Sequence, residues 1–238
     1  MLLSYILVIA ILISGMVFSI ISNRLTLPAA VTGAVIGLSV FVATGFLGLA
    51  VMTTFFVLGT MATSHKLKVK QAAGLAELNK GKRTTGQVLA NAGVAAILSV
   101  LAFIYPAYLE TFGLMIAASF SAAAADTLSS ELGNVYGRRF YNILTFKKNR
   151  RGMNGVISFE GTMLGMVGSV IVAIVYALFA GIDVTILYII IAGTIGNLTD
   201  SVLGAALENK GYLSNNAVNT LNTLSGALAA LILSVFNH

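Results

Sequence analysis

The stretch Pro28–Ala62, PAAVTGAVIGLSVFVATGFLGLAVMTTFFVLGTMA, carries no charged residue. A membrane-spanning helix needs roughly 20 apolar residues, so at about 1.5 Å per residue this stretch is too long for one upright span. The triplet Ala43-Thr44-Gly45 offers a break. It predicts two helices, 28–43 and 46–62, against a merged alternative that would leave seven spans in the chain. Outward from here, apolar runs at 2–21, 87–105, 111–128, 160–180, 184–204 and 219–236 bring the expected total to eight. The first run has no basic leader and no small-residue cleavage site before Asn23, and reads as a span rather than a signal peptide. The expectation is one all-α polytopic membrane domain, residues 1–238, with internal helix-loop-helix repeats.

Composition agrees. The 238 residues are 58% hydrophobic and 9% charged, where a soluble domain usually carries about 25% charge. A disordered chain, a disulfide scaffold and an ordinary soluble enzyme are excluded. With no cysteine, thiolate metal sites and cysteine nucleophiles are excluded too.

The few charges are placed unevenly. Lys66, Lys68, Lys70, Lys80, Lys82 and Arg83 fall in the loop 63–86, and Arg138, Arg139, Lys147, Lys148, Arg150 and Arg151 in the loop 129–155, together 12 of 14 basic residues. Two spans separate the loops, so both face one side, and the positive-inside rule makes that side cytoplasmic. Eight spans also bring Arg24 inside; seven would leave it outside. The net charge of +6 is accounted for by this topology and by an anionic phosphate substrate, without nucleic acid.

The C-terminal half repeats itself. ADTLSSELG (Ala125–Gly133) is echoed by TDSVLGAALE (Thr199–Glu208), and each leads through Asn into a Gly- and Ser-rich span; TTGQVLANAGVAAILS at 84–99 is a weaker third copy. Carboxylates in or at spans are costly and mark function by default, and five qualify: Asp126, Glu131, Glu160, Asp200 and Glu208. At intervals of three or four, Asn197, Asp200/Ser201, Gly204 and Glu208 form one polar stripe, Asn154, Ser158, Gly161/Thr162 and Gly165 a second, and Asn215, Asn219, Asn222/Thr223 and Gly226 a third. Gln87 and Asn91 begin a fourth. All lie at the cytoplasmic ends and are expected to face one cavity. Asp126 and Glu131, five residues apart, sit about 140° apart on a straight helix. Either the helix breaks near Ser129–Gly133, or the two acids serve different partners. Small residues such as Gly165, Gly168, Ser169, Ser225 and Gly226 read equally well as helix-packing contacts.

Oxygen ligands without His or Cys suit Mg²⁺, which takes one or two carboxylates plus substrate phosphates. Flanking cations suit a polyphosphate. There is no P-loop motif. A nucleotide–metal site at the membrane face, acting on a polar head whose apolar tail stays in lipid, fits this set.

The runs SAAAADTLSSELGNVYGRR (121–139), RRGMNGVISFEGTMLG (150–165), GNLTDSVLGAALE (196–208) and NNAVNTLN (215–222) resemble the integral-membrane family that includes plant phytyl-phosphate kinase and transmembrane protein 19. The skeleton of Asp126, Gly133 and Glu160-Gly161-Thr162 is also similar to that of CTP-dependent dolichol and phytol kinases and phosphatidate cytidylyltransferases. The resemblance implies a Mg²⁺-dependent kinase that takes an isoprenoid monophosphate to its diphosphate with CTP or another nucleoside triphosphate. By that likeness Asp126, Glu131 and Asp200 would hold metal, and Glu160 would join them as a catalytic group. Asn154, Ser158, Asn197, Asn215 and Asn219 would bind phosphate or nucleotide, and Lys82, Arg83, Lys148, Arg150 and Arg151 would neutralise phosphates. The cytidylyltransferases usually have a Lys-rich lead into the Glu-Gly motif; here Met153-Asn154-Gly155 stands there, which argues against nucleotidyl transfer. A CTP-dependent lipid cytidylyltransferase and an ion or solute transporter are the alternatives.

Overall fold

A computed structural model describes residues 2–76 and 81–236. Its helices are α1 (Leu2–Ile21), α2 (Leu27–Ser64), α3 (Leu67–Ala72), α4 (Thr85–Ile104), α5 (Leu109–Tyr136), α6 (Phe159–Ala180), α7 (Thr185–Ala206) and α8 (Asn215–Val235). All but the short α3 are long and apolar enough to cross a membrane, seven in all among the described residues. The chain is therefore an all-α polytopic membrane protein. Of the first basic loop, Glu77 and Lys80 lie outside the described residues.

Helix α2 resolves the choice between seven and eight. Its 38 residues are interrupted at Gly45, whose φ of 66° and ψ of −148° are not helical. Straight, it would run about 57 Å, nearly twice the hydrocarbon thickness. Instead the chain doubles back: a Cβ on Gly37 would lie 3.7 Å from Sδ of Met52, fifteen positions on and about 22 Å away along a straight helix. At the ends of the hairpin the Arg24 guanidinium donates to the Ser64 hydroxyl. Two apolar arms thus stand where eight spans were expected, and Arg24 joins the basic side. Only glycine adopts the Gly45 backbone without strain. Gly45→Ala should cost about 1–2 kcal/mol, read as a lowered thermal unfolding midpoint of detergent-solubilised protein; space is not the cause, since a Cβ there meets nothing within 4 Å.

The core is α5. Its residues Ile116–Ala118, Phe120 and Ala122–Ala125 are fully buried, and α2, α4, α6, α7 and α8 all pack on it. The alanine run lets neighbours approach to backbone contact. An added Cβ would come 2.7 Å from the Ala125 carbonyl oxygen at Gly165, 3.2 Å from that of Ala124 at Gly168, and 3.0 Å from that of Ala118 at Gly226. For these three glycines the packing reading therefore accounts for the residue type. Helix α1 packs chiefly on α2 and is largely exposed to lipid.

Helix α5 continues unbroken through Ser129–Gly133 to Tyr136. The second basic loop therefore begins later than hydropathy suggests, at Gly137. It holds a two-stranded antiparallel hairpin, β1 (Tyr141–Asn142) with β2 (Val156–Ile157). The two basic loops meet: His65 Nε2 and the Tyr136 hydroxyl are 2.7 Å apart, and the Lys66 ammonium stands 4.8 Å from the Tyr136 ring centre. They share one face of the bundle, as expected from the charge pattern.

Candidate active site

On that basic face the helix ends surround a cavity of about 190 Å³. Two kinds of terminus meet there. Helices α5 and α7 present their C-terminal halves, carrying Asp126 and Asp200, the two positions of the repeated Asp-[Thr/Ser] pattern. Helices α4, α6 and α8 begin there, with Gln87 and Asn91 on α4, Ser158 ahead of α6, and Asn215 and Asn219 on α8. The first group offers negative charge, whereas the second brings helix N-termini, whose dipole ends favour anions. Arg83, just ahead of α4, is the cation in the lining.

The strap between β1 and α6 closes the side. Gly155 adopts φ +71° and lies on α7, where a Cβ would collide with the backbone and side chain of Ala205. That contact brings Asn154 to the cavity wall, its carbonyl accepting from the Asn209 amide at 3.0 Å. The side chains of Asn154 and Asn215 both reach the Glu208 carboxylate. Two lining residues also hold helix ends: Ser158 accepts from the Gly161 N–H at 3.1 Å, and the Gln87 side chain accepts from the Thr84 N–H at 2.9 Å.

Asp126 and Asn222 stand beside the Asp200 carboxyl. Even so, Oδ2 of Asp200 and both side-chain heteroatoms of Asn222 are buried without closing a hydrogen bond. Buried polar atoms are normally satisfied, so Oδ2 of Asp200, which lines the cavity where Asn222 does not, has coordination left for a ligand. The described residues hold no group of three or more His, Cys, Asp or Glu suited to a metal. The pair Asp126 and Asp200, with neutral oxygens around it, is what remains for a hard cation that keeps its waters.

Of the residues singled out from sequence, the cavity gathers Asp126, Asp200, Arg83, Asn154, Ser158, Asn197, Asn215 and Asn219. Others lie elsewhere. Glu131 is turned away on the unbroken α5 and forms a buried ion pair with Lys70, which also donates to the carbonyls of Ala62 and Thr63 at 3.0 and 2.8 Å. The three-acid set of Asp126, Glu131 and Asp200 is therefore not assembled, for the reason the 140° offset anticipates. Glu160 faces a separate outer groove beside Arg138 and Arg139 and accepts from the Arg138 N–H at 3.3 Å. Lys82 points to Asn23, 3.5 Å away, and Lys148, Arg150 and Arg151 are exposed on the strap. Gln87, Asn91, Ser201 and Glu208 line the cavity as members of the polar stripes. Asn134 does so too, with no helical stripe in the sequence to single it out.

Residues 9–227 match the family described as integral membrane protein DUF92. The chain belongs to this family. It is 34% identical over 199 residues to Protein VTE6, chloroplastic, of Arabidopsis thaliana, covering 81% of this chain and 60% of that protein's length. A Synechocystis membrane protein described as uncharacterized is 34% identical over 204 residues, 83% of this chain and 78% of its own. An archaeal one from Methanocaldococcus jannaschii is 32% identical over 190 residues, 79% and 77%. No solved structure matches the chain. The match to the DUF92 family spans all four runs quoted from the sequence, 121–139 through 215–222, and the whole cavity lining.

Proposed function

We propose that this DUF92 protein is a membrane-embedded kinase that transfers the γ-phosphate of CTP or another nucleoside triphosphate to a prenyl monophosphate, with Mg²⁺, at a site facing the cytoplasm. The carrying observation is the pairing of Asp126 with Asp200 in a cavity ringed by three helix N-termini and Arg83.

Charge decides what the cavity accepts. Three carboxylates, those of Asp126, Asp200 and Glu208, face one guanidinium. A bare polyphosphate would be repelled, whereas one carrying divalent metal is not. The residues fit Mg²⁺ by their chemistry: all-oxygen donors, two carboxylates side by side, and an unsatisfied Oδ2 on Asp200. Asp126 and Asp200 would hold the ion, which when bound supplies charge neutralisation across the phosphates.

The rest is positioning. Asn197, Asn215 and Asn219 orient phosphate oxygens or the nucleotide, and Arg83 faces the acceptor phosphate. An oxygen of that phosphate attacks the γ-phosphorus, the bond to the β,γ-bridging oxygen breaks, and nucleoside diphosphate leaves. A monophosphate ester has its second pKa near 6, so the attacking oxygen is already ionised at neutral pH. No histidine base is required, which agrees with a lining that holds none.

Incubating purified protein with geranylgeranyl or phytyl monophosphate, Mg²⁺ and each nucleoside triphosphate in turn should yield the prenyl diphosphate and nucleoside diphosphate. Absence of turnover with every pair would sink the reading. Nucleotide should also raise the thermal unfolding midpoint only when Mg²⁺ is present; equal stabilisation in EDTA would separate the metal from the site.

A further inference from the structure

A second cavity, apolar and about 180 Å³, lies between α1, the α2 hairpin and α4. It adjoins the polar site, with Arg83, Gln87 and Asn91 lining both. Arg83 sits at the junction, its guanidinium 5.5 Å from the ring centre of Phe55, which belongs to the apolar wall. An apolar chamber of the bundle thus ends at a cation that also lines the cavity holding the carboxylate pair.

Two glycines carry the argument further. Glycine inside a helix is destabilising relative to alanine and usually permits close backbone packing, as Gly165 and Gly226 do here. Gly15 on α1 and Gly33 on α2 line the apolar cavity, yet a Cβ at either would meet nothing within 4 Å. They admit no neighbouring helix and leave the chamber open. A dry cavity of about 150 Å³ lined by aliphatic side chains takes a benzene-sized guest, so this one accommodates about one five-carbon branched unit.

We infer that this groove seats the tail of the phosphorylated prenyl acceptor, with the unit nearest the phosphate in the chamber, the phosphate at Arg83 and the remainder of the chain running out between α1 and α2 into lipid. The inference rests on the prenyl-phosphate reading for the identity of the head, while the groove and its junction stand on geometry. Because the chamber holds only the proximal unit, tail length beyond it has little influence on binding.

The test uses a geranylgeranyl monophosphate bearing a diazirine on its first isoprene unit, photolysed with the full chain in nanodiscs, and mapped by peptide mass spectrometry. Label on α1, α2 or α4 residues of the groove, such as Leu12, Met52 or Val88, that is competed by unlabelled geranylgeranyl monophosphate is the expected result. Gly33→Leu and, from the opposite wall, Gly15→Leu should each reduce that label at least fivefold and raise the KM for prenyl monophosphate about tenfold. The KM for nucleotide should stay unchanged. Gly93→Leu, where a Cβ also meets nothing within 4 Å and which lies outside both cavities, is the control and should behave as wild type. Competed label on the outer groove by Phe146 and Phe159, or no competed label anywhere, would overturn the tail site. Competed groove label in a protein that turns over no prenyl monophosphate would keep the groove and overturn the kinase reading instead.

Discussion

Asp200→Asn and Asp126→Asn should each lower kcat by about a thousandfold, roughly 4 kcal/mol of transition-state stabilisation, while the protein still inserts and elutes from gel filtration as wild type. The substitution keeps shape and removes one charge from a cluster where like charges crowd, so folding gains nothing from the wild-type carboxylates. Asp200 is flanked by Asp126 and Asn222 with Oδ2 unsatisfied, which gives no structural reason for an ionised group there. Glu160→Gln should stay within tenfold of wild type, since Glu160 lies in the outer groove and caps the Arg138 N–H. Steady-state turnover of the three variants checks both statements, and an Asp200→Asn protein retaining activity would remove the carboxylate pair from the mechanism.

The second large effect concerns stability. Lys70 is 1% exposed and Glu131 6%, and they pair between α3 and α5. Removing one partner strands a buried charge, so Lys70→Met or Glu131→Leu should cost about 3–5 kcal/mol. The double variant Lys70→Met/Glu131→Leu should recover most of that loss, because an apolar pair of similar volume carries no desolvation penalty. Thermal unfolding of the four proteins in one detergent measures the coupling. The turnover of the double variant, once folded, should be near wild type. A double variant that is stable yet inactive would return Glu131 to the catalytic set.

Much of this was legible in the chain. The hydropathy runs and Ala43-Thr44-Gly45 gave the spans, because lipid tolerates few polar residues and Gly45, the one glycine of the long run with a positive φ, is where that run turns. The four stripes predicted a shared cavity because helical periodicity holds within each span. What was not legible lay across elements. Lys70 finds Glu131 from 61 positions away, and nothing local distinguishes it from Lys66 or Lys68. The cations Lys148, Arg150 and Arg151 belong to a strap whose course is set by Gly155 on Ala205, so their outward direction follows from a tertiary contact. Glu160 differs from Ser158 by little more than half a helical turn, enough to put one in the outer groove and the other also in the cavity wall.

The kinase reading stands on movement of the γ-phosphate to a phosphate acceptor. Purified protein given geranylgeranyl monophosphate, Mg²⁺ and CTP labelled with ³²P at either the γ or the α position tests it directly. The expected result is γ-label in geranylgeranyl diphosphate and α-label remaining in CDP. Alpha-label in the lipid product with release of pyrophosphate, or no label in lipid from any nucleoside triphosphate, would contradict it.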